Sequence, residues 1–370
     1  MRAYQVIDAD GHVVEPLDMW DRYFDDSYRK RKPKMVTDAG GHLRFELDGR
    51  LWPTPSGPGA GRPEGLGAFY APDSAHRREG GWDATARLAD MDREGIDIMV
   101  LYPSLLLMGV PVLRDAGLAE AVCQAYNNWL HEHCKTDPTR LIGVGLIPLQ
   151  HVEVACREAE RCVRSLGMRG VMAHPAPSDE RNLDHVDFDR LYATMQALDA
   201  PLAFHEGGSG HQRTLSSYRY DNYILTHTLS HPFEQMAACA NMIVGGVFER
   251  FPSLQVAYLE AGCGWLPSWL DRLDEHVARL HHLAPSLRLS PSEYFQRQCW
   301  ISCDPDERTL ASTIALIGDT KIVWASDYPH LDARSGPVKT FHDVQASLAP
   351  AALKAILQDN PRRLYGLSSQ

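Results

Sequence analysis

From about residue 83 to the C-terminus, short apolar runs alternate with amphipathic stretches of helical period. This pattern constrains the fold more than any other feature of the chain. Apolar runs of this kind suit strands buried on both faces, and the stretches between them are long enough to be crossover helices. The runs are Ile98–Tyr102, Leu141–Ile147, Gly170–Ala173, Pro201–Phe204, Leu254–Leu259, Cys299–Cys303 and Ile322–Ala325. With Tyr4–Ile7 near the start they make about eight strands, the rhythm of an α/β fold of the (β/α)8 TIM barrel type. The runner-up is a doubly wound open sheet. It is disfavoured because no Gly-x-Gly-x-x-Gly or Walker-type loop follows any run.

Between the runs, Asp83 is a natural N-cap for a helix over Ala84–Glu94, which Gly95 stops. Further helices are expected over 118–135, 152–166, 188–198, 232–248, 266–280 and 309–317. The segment 32–80 breaks the rhythm. It is rich in Gly and Pro and carries one candidate hairpin, 43–45 with 50–52, turned through Asp48-Gly49. We read residues 1–370 as a single barrel domain, with 32–80 inserted after the first strand as a lid or dimer arm over the C-terminal mouth.

The 370 residues are 44% hydrophobic and 23% charged, ordinary for a globular protein. A net charge of −11, from 48 acidic against 37 basic residues with no Lys/Arg block, argues against nucleic acid or an anionic membrane as the main partner. Neither a secretory leader pattern nor a membrane-length apolar run is present, and the eight cysteines have no Cys-x-x-Cys spacing. A cytoplasmic protein with reduced core cysteines is expected.

Chemistry-bearing residues gather where the apolar runs end. In a parallel barrel those ends converge on one mouth. Asp10-Gly11-His12 places two side chains on one face. Alone, it reads equally as a turn aspartate beside a solvated histidine. His205 follows an apolar run and precedes Glu206-Gly207-Gly208, which lets backbone approach a ligand, although a satisfied buried histidine is the plain alternative. Asp327 follows the last run. Together, Asp10, His12, His205 and Asp327 offer two imidazoles and two carboxylates, a set suited to one divalent ion, Zn or Mn. His174 and Glu260 also end runs, and His330 lies three residues beyond Asp327. A carboxylate after Val256–Leu259 is costly unless paired, to Arg272 for example, or functional. His231-Pro232 opens the expected 232–248 helix, where the histidine is either a cap or a site residue.

Taken in order and spacing, several motifs resemble the amidohydrolase-related branch of the amidohydrolase superfamily, which includes aminocarboxymuconate-semialdehyde decarboxylase. They are Ile7-Asp8-Ala9-Asp10-Gly11-His12-Val13-Val14-Glu15-Pro16, Phe204-His205-Glu206-Gly207, Phe248-Glu249-Arg250-Phe251-Pro252, Trp265-Leu266-Pro267 with Asp271-Arg272, and Ser326-Asp327-Tyr328-Pro329-His330. The resemblance implies a metal pair at Asp10 and His12, a third ligand at His205 and a fourth at Asp327. Many members have His-x-His where this chain has Asp10, and related decarboxylases of aromatic acids carry a carboxylate there. Decarboxylating members place a proton-transferring histidine in a His-Gly-Gly-like turn, where this chain has Glu260-Ala261-Gly262.

The function expected from this resemblance is non-oxidative decarboxylation of a small aromatic or unsaturated carboxylate. Asp327, Glu260 and His231 are the catalytic candidates. His174, His330, Arg213 and Arg219 are the substrate-binding candidates. The alternatives are hydrolysis of a lactone, ester or amide at the same site, and a non-catalytic ligand-binding scaffold. A homodimer or higher homo-oligomer is also expected.

Overall fold

The computed structural model describes residues 4–208, 214–215, 219–331 and 333–368. Twelve strands are numbered along the chain: β1 (Ile7–His12), β2 (Lys34–Thr37), β3 (Leu43–Leu47), β4 (Arg50–Trp52), β5 (Ile98–Tyr102), β6 (Leu141–Gly143), β7 (Gly145–Leu146), β8 (Val171–Ala173), β9 (Leu202–Phe204), β10 (Val256–Tyr258), β11 (Cys299–Cys303) and β12 (Ile322–Trp324). Parallel pairing runs β1-β5-β6 and then β7-β8-β9-β10-β11-β12. β6 and β7 are one barrel staff that changes partner at Val144. Its N–H reaches Leu101 O, and the next one, on Gly145, reaches Gly170 O. Asn127 bridges the break, accepting from Leu146 N (2.8 Å) and donating to Leu146 O (3.0 Å). The circle closes between β1 and the segment after β12, where His12 N donates to Tyr328 O and Asp327 N to Asp10 O. This is the expected (β/α)8 barrel.

Local sequence explains most of the helices. Asp83 caps Ala84–Glu94 by accepting from Ala86 N, and Gly95 ends it at φ 79°. Two expectations are corrected. β1 does not end at Ile7 but continues through the motif to His12, every residue of it buried. Asp8, inside that strand, is tolerated because Ser326 donates to it through both N–H (3.0 Å) and hydroxyl. Burial still pushes the Asp8 carboxyl up to about 7.

The helix expected to open at Pro232 instead begins at Tyr223 and runs to Val244. Asn222 caps it, accepting from Ile224 N and Leu225 N, and Pro232 sits inside. An internal proline costs one helical hydrogen bond. Tertiary anchoring offsets that loss, since Gln235 Nε2 donates to Phe204 O (2.7 Å) and Leu259 O (3.0 Å). One side chain thereby fixes this helix to the ends of β9 and β10.

The inserted segment forms an antiparallel sheet in the order β2-β3-β4, one strand more than the expected hairpin. Its Gly/Pro-rich continuation is ordered around buried Arg44. The guanidinium donates to Asp38 Oδ2 (2.7 Å), Arg62 O (2.9 Å), Pro63 O (2.8 Å) and Pro53 O (3.3 Å). All eight cysteines are free, and seven are buried.

Candidate metal centre and its cavity

β1 carries Asp10 and His12 two residues apart, so both project from one face. A one-residue irregularity against β5 lies between Asp8 and Gly11, where Met99 presses so closely that any side chain on Gly11 would clash. His12 Nδ1 donates to Pro103 O (2.8 Å) and His205 Nδ1 to Glu206 O (2.8 Å). In a neutral ring this leaves Nε2 an acceptor. Burial, followed by the neighbouring His330 and His205, holds the His12 pKa well below the ordinary range, so its ring is neutral.

The two Nε2 atoms face each other at 3.2 Å. Around them lie more acceptors. Asp10 Oδ1 is 3.5 Å from His12 Nε2 and 3.3 Å from His205 Nε2, and Asp327 Oδ1 is 3.4 Å from His12 Nε2. Glu260 Oε2 stands 3.1 Å from His205 Nε2 and 3.9 Å from His12 Nε2. Buried Asp10 Oδ1 meets no hydrogen-bond donor among the described residues. Acceptors converging on acceptors repel unless a cation sits between them. Ligand bonds of about 2.1 Å place neighbouring donor atoms ~3.0–3.4 Å apart, close to the separations seen here. The donor set therefore fits a divalent ion.

Glu260 and Asp327 both have left-handed backbones, φ 51° and 57°. This conformation costs a non-glycine residue about 1–2 kcal/mol. It recurs here in two carboxylates that follow β10 and β12 and aim at the same point.

Other candidates fall around this centre. His330 Nδ1 lies 2.6 Å from Asp327 Oδ1, and its ring stacks on His12 with centroids 4.0 Å apart. His330 Nε2 is 2.8 Å from Ser104 Oγ, whose own hydrogen goes to Val13 O (2.7 Å). Ser104 therefore accepts from Nε2–H, which leaves His330 Nδ1 facing Asp327 Oδ1. The loop carrying Ser104 is tied down by buried Glu15, which accepts from the N–H groups of Ser104, Leu105 and Leu106 at 3.0–3.1 Å.

His231 Nε2 stands between Glu260 Oε1 (3.4 Å) and Glu206 Oε2 (3.6 Å). Glu260 thus faces the histidines rather than Arg272. Burial would raise the Glu206 carboxyl, but His231 and His174 outweigh it and bring it down to about 2.

Two substrate-binding expectations change, and a third falls outside the described residues. His174 is buried behind Glu206, with Nε2 3.4 Å from Glu206 Oε1, and does not line the cavity. Arg219 is exposed and lines neither cavity beside Glu260. Arg213 lies outside the described residues. Gly207 and Gly208 both line the cavity, and a side chain on Gly207 would strike Leu107, so that glycine also allows close packing of the pocket wall.

Two cavities meet at Glu260, His227 and His231. One, about 110 Å³, is mostly apolar, with Leu66, Phe69, Leu105 and Met108 on its walls and Arg62 beside them. The other, about 320 Å³, is polar and lined by Asp304, Asp306, Asp327 and Arg334. Arg62, Tyr223, His227, Glu206 and Ser104 were not singled out from sequence. Tyr223, His227 and His231 recur every four residues, a spacing that would have exposed them had the helix start been placed correctly. Arg62 sits in the Gly/Pro-rich stretch, and only the tertiary anchor at Arg44 places it.

The geometry agrees with what the chain is similar to. It is 28% identical over 249 residues to 2-amino-3-carboxymuconate-6-semialdehyde decarboxylase of Dictyostelium discoideum, covering 67% of each chain. It is 28% identical over 256 residues to gamma-resorcylate decarboxylase of Polaromonas sp. strain JS666, covering 66% of this chain and 76% of that one. Among solved structures, an amidohydrolase from Mycobacterium avium subsp. paratuberculosis K-10 superposes with a TM-score of 0.81 at 24% identity, covering 100% of this chain and 99% of that one. Dihydroxybenzoic acid decarboxylase from Polaromonas sp. JS666, solved with manganese and the inhibitor 2-nitroresorcinol, gives 0.69 at 21%, covering 100% and 98%. Among the described residues, no helix is long and apolar enough to cross a membrane. The sequence model of the amidohydrolase family matches residues 7–367, and the chain belongs to that family.

Proposed function

We propose that the protein is a divalent-metal-dependent, non-oxidative decarboxylase of a small aromatic carboxylate. The observation that carries this reading is the facing pair of imidazole acceptors, His12 Nε2 and His205 Nε2 at 3.2 Å, ringed by carboxylates of which one, Glu260, also lines the apolar cavity. Asp10, His12, His205 and Asp327 would hold the ion, with Glu260 Oε2 at its edge. Manganese is favoured over zinc because the set is rich in carboxylate, and because the related dihydroxybenzoic acid decarboxylase was solved with manganese. When bound, the ion supplies Lewis-acid charge that neutralises the carboxylate and stabilises negative charge as CO2 leaves.

The remaining work falls to the chain. Phe69, Leu66, Leu105 and Met108 seat a flat ring and keep water from it. Arg62, over the Tyr223 ring at 5.7 Å, supplies the positive charge that Arg219 does not bring to the cavity. Glu260 and His231, 3.4 Å apart, hold the proton that is delivered to the carbon losing CO2. A glutamate thereby does what histidine does in the decarboxylases this chain resembles. His330, with Nδ1 2.6 Å from Asp327 Oδ1, keeps that carboxylate in place. Decarboxylase names among the relatives support the reaction class.

Hydrolysis is the second reading. Asp327 held against His330 can take a proton from an attacking water, and Glu260 replaces the histidine of decarboxylating relatives. The test is CO2 release by Mn²⁺-loaded protein from a panel of hydroxybenzoates and muconate derivatives. No release from any of them refutes the proposal. ¹⁸O from labelled water in a new product carboxylate assigns hydrolysis instead.

A further inference from the structure

Glu260 sits on a turn in which two of three consecutive residues are left-handed, Glu260 at φ 51° and Gly262 at φ 63°. Strain of this kind persists only where the surroundings over-determine the backbone. Here the N–H groups of the turn are held from outside, by β11 and the loop after it. Glu260 N–H goes to Ser302 Oγ at 3.0 Å. Cys263 N–H reaches both oxygens of Glu307, at 2.9 and 3.0 Å, and Gly264 N–H reaches Oε1 at 2.6 Å.

Glu307 is itself fixed. The Thr309 hydroxyl donates to Oε1 (2.9 Å), Asp304 N–H approaches Oε2 (3.3 Å), and buried Gln345 donates through Nε2 to the Glu307 carbonyl (2.8 Å). Gly264 is what lets the carboxylate come so close. A Cβ there would strike the Thr309 hydroxyl and lie 3.1 Å from Glu307 Oε1. The aim that the turn must keep is narrow, because Glu260 Oε1 is 3.4 Å from His231 Nε2 while Oε2 is 3.1 Å from His205 Nε2. Relaxation of Glu260 to an ordinary negative φ would swing its side chain away from both.

We infer that Glu307 is a positioning residue for proton delivery: by clamping Cys263 and Gly264 it holds left-handed Glu260 with one oxygen toward His231 and the other toward His205. Glu307 lines neither cavity beside Glu260, so it acts through the backbone of the turn. The inference rests on the reading of Glu260 as the proton carrier.

The test is CO2 release by the full chain loaded with Mn²⁺, on the hydroxybenzoate or muconate derivative that it turns over fastest. Glu307→Ala should lower kcat about 30-fold, since a misplacement of ~1 Å can cost ~100-fold. KM should stay within about twofold and bound Mn²⁺ by elemental analysis should be unchanged. Glu307→Gln keeps a carbonyl oxygen for both N–H groups and should stay within about fivefold of wild type. Glu307→Asp keeps the charge but is one methylene short of the turn, so it should resemble Glu307→Ala and serves as the second variant if that one misfolds. The Cys263 and Gly264 amides should exchange at least about tenfold faster in Glu307→Ala. In the Glu260→Gln background, Glu307→Ala should cost less than about twofold more, whereas a merely structural residue would cost as much as before. Wild-type kcat in both Glu307→Ala and Glu307→Asp overturns the inference and leaves the proton role of Glu260 standing. So does an effect confined to KM, loss of Mn²⁺ in step with kcat, unchanged exchange at both amides, or an undiminished effect in the Glu260→Gln background. Glu260→Gln at the wild-type rate, or no CO2 from any substrate, refutes the proton role itself, and the inference falls with it.

Discussion

Arg44→Met should loosen the insertion while leaving the barrel intact. The guanidinium lies 1% exposed and donates to three backbone carbonyls, those of Pro53, Arg62 and Pro63, as well as to Asp38. Methionine fills much of the volume but donates nothing. Asp38 keeps the N–H groups of Gly40 and His42 as donors, so its carboxylate is not left unpaired. The three carbonyls lie inside the loop, and an unsatisfied buried acceptor costs about 1 kcal/mol or more. The expected local loss is therefore about 3 kcal/mol, or ~100-fold faster exchange of amides that close only when the insertion is folded. The reporting amides are Gly61 N–H, bonded to Thr54 O at 3.0 Å, and Leu66 N–H, bonded to Leu43 O at 2.8 Å. Barrel amides such as His205 N–H, bonded to Ala173 O, should exchange within about threefold of wild type.

Hydrogen exchange read by mass spectrometry separates peptides covering 53–69 from those covering β8 and β9. Function should follow the loop. Leu66, Phe69 and Arg62 wall the apolar cavity, so KM rises by more than tenfold while kcat changes less, since the ion's residues come from barrel strands. Arg44→Lys should recover little, because a point charge cannot serve carbonyls on several sides. An increase under fivefold in the 53–69 peptides refutes the reasoning. Equal acceleration in the barrel peptides also refutes it, since Arg44 would then support the whole domain.

Glu260→Gln keeps size but cannot carry a proton, so kcat should fall by at least ~100-fold while bound Mn²⁺ by elemental analysis stays near wild type. If metal is lost in parallel, Glu260 is a ligand first. Removing metal with EDTA should lower the melting temperature by several degrees, about 3 kcal/mol for an ion at ~100 times its Kd. In His205→Ala that difference should vanish, and calorimetry that still finds it places the ion elsewhere. Ser104→Ala removes the acceptor for His330 Nε2–H (2.8 Å) and should cost about tenfold in kcat with KM nearly unchanged. A dominant KM effect would make Ser104 a wall residue only. The Asp38 carboxyl is brought down to about 2 by Arg44. Its pairing therefore stabilises the insertion fully above the unfolded value near 3.8 and is lost as pH falls toward 2. Exchange in 53–69 measured from pH 5 to pH 2.5 should lose that pH dependence in Asp38→Asn.

The barrel was legible because strands buried on both faces are written as apolar runs, and a parallel barrel collects whatever follows them at one mouth. That logic reaches Glu260 and Asp327, each just past such a run, and His205 after β9. It fails where stability comes from partners distant in sequence. β1 reads as ending at Ile7 because Asp8, Asp10 and His12 are costly inside a strand. They persist only because Ser326, 318 residues away from Asp8, donates to its carboxylate, and because His12 meets Pro103 O and the acceptors around it. The helix start at Tyr223 is hidden for a related reason. Pro232 signals a boundary locally, and Gln235 overrides it by hydrogen bonds to two strand ends. Arg62 is invisible in a Gly/Pro-rich stretch until Arg44 fixes the loop that carries it. The left-handed backbones of Glu260 and Asp327 carry no sequence mark either, since glycine or asparagine would be the favourable choice at those positions. Keeping carboxylates there at a conformational cost makes physical sense only if something at the point they share binds them. The strained turns and the facing imidazoles are therefore separate structural arguments for one cation.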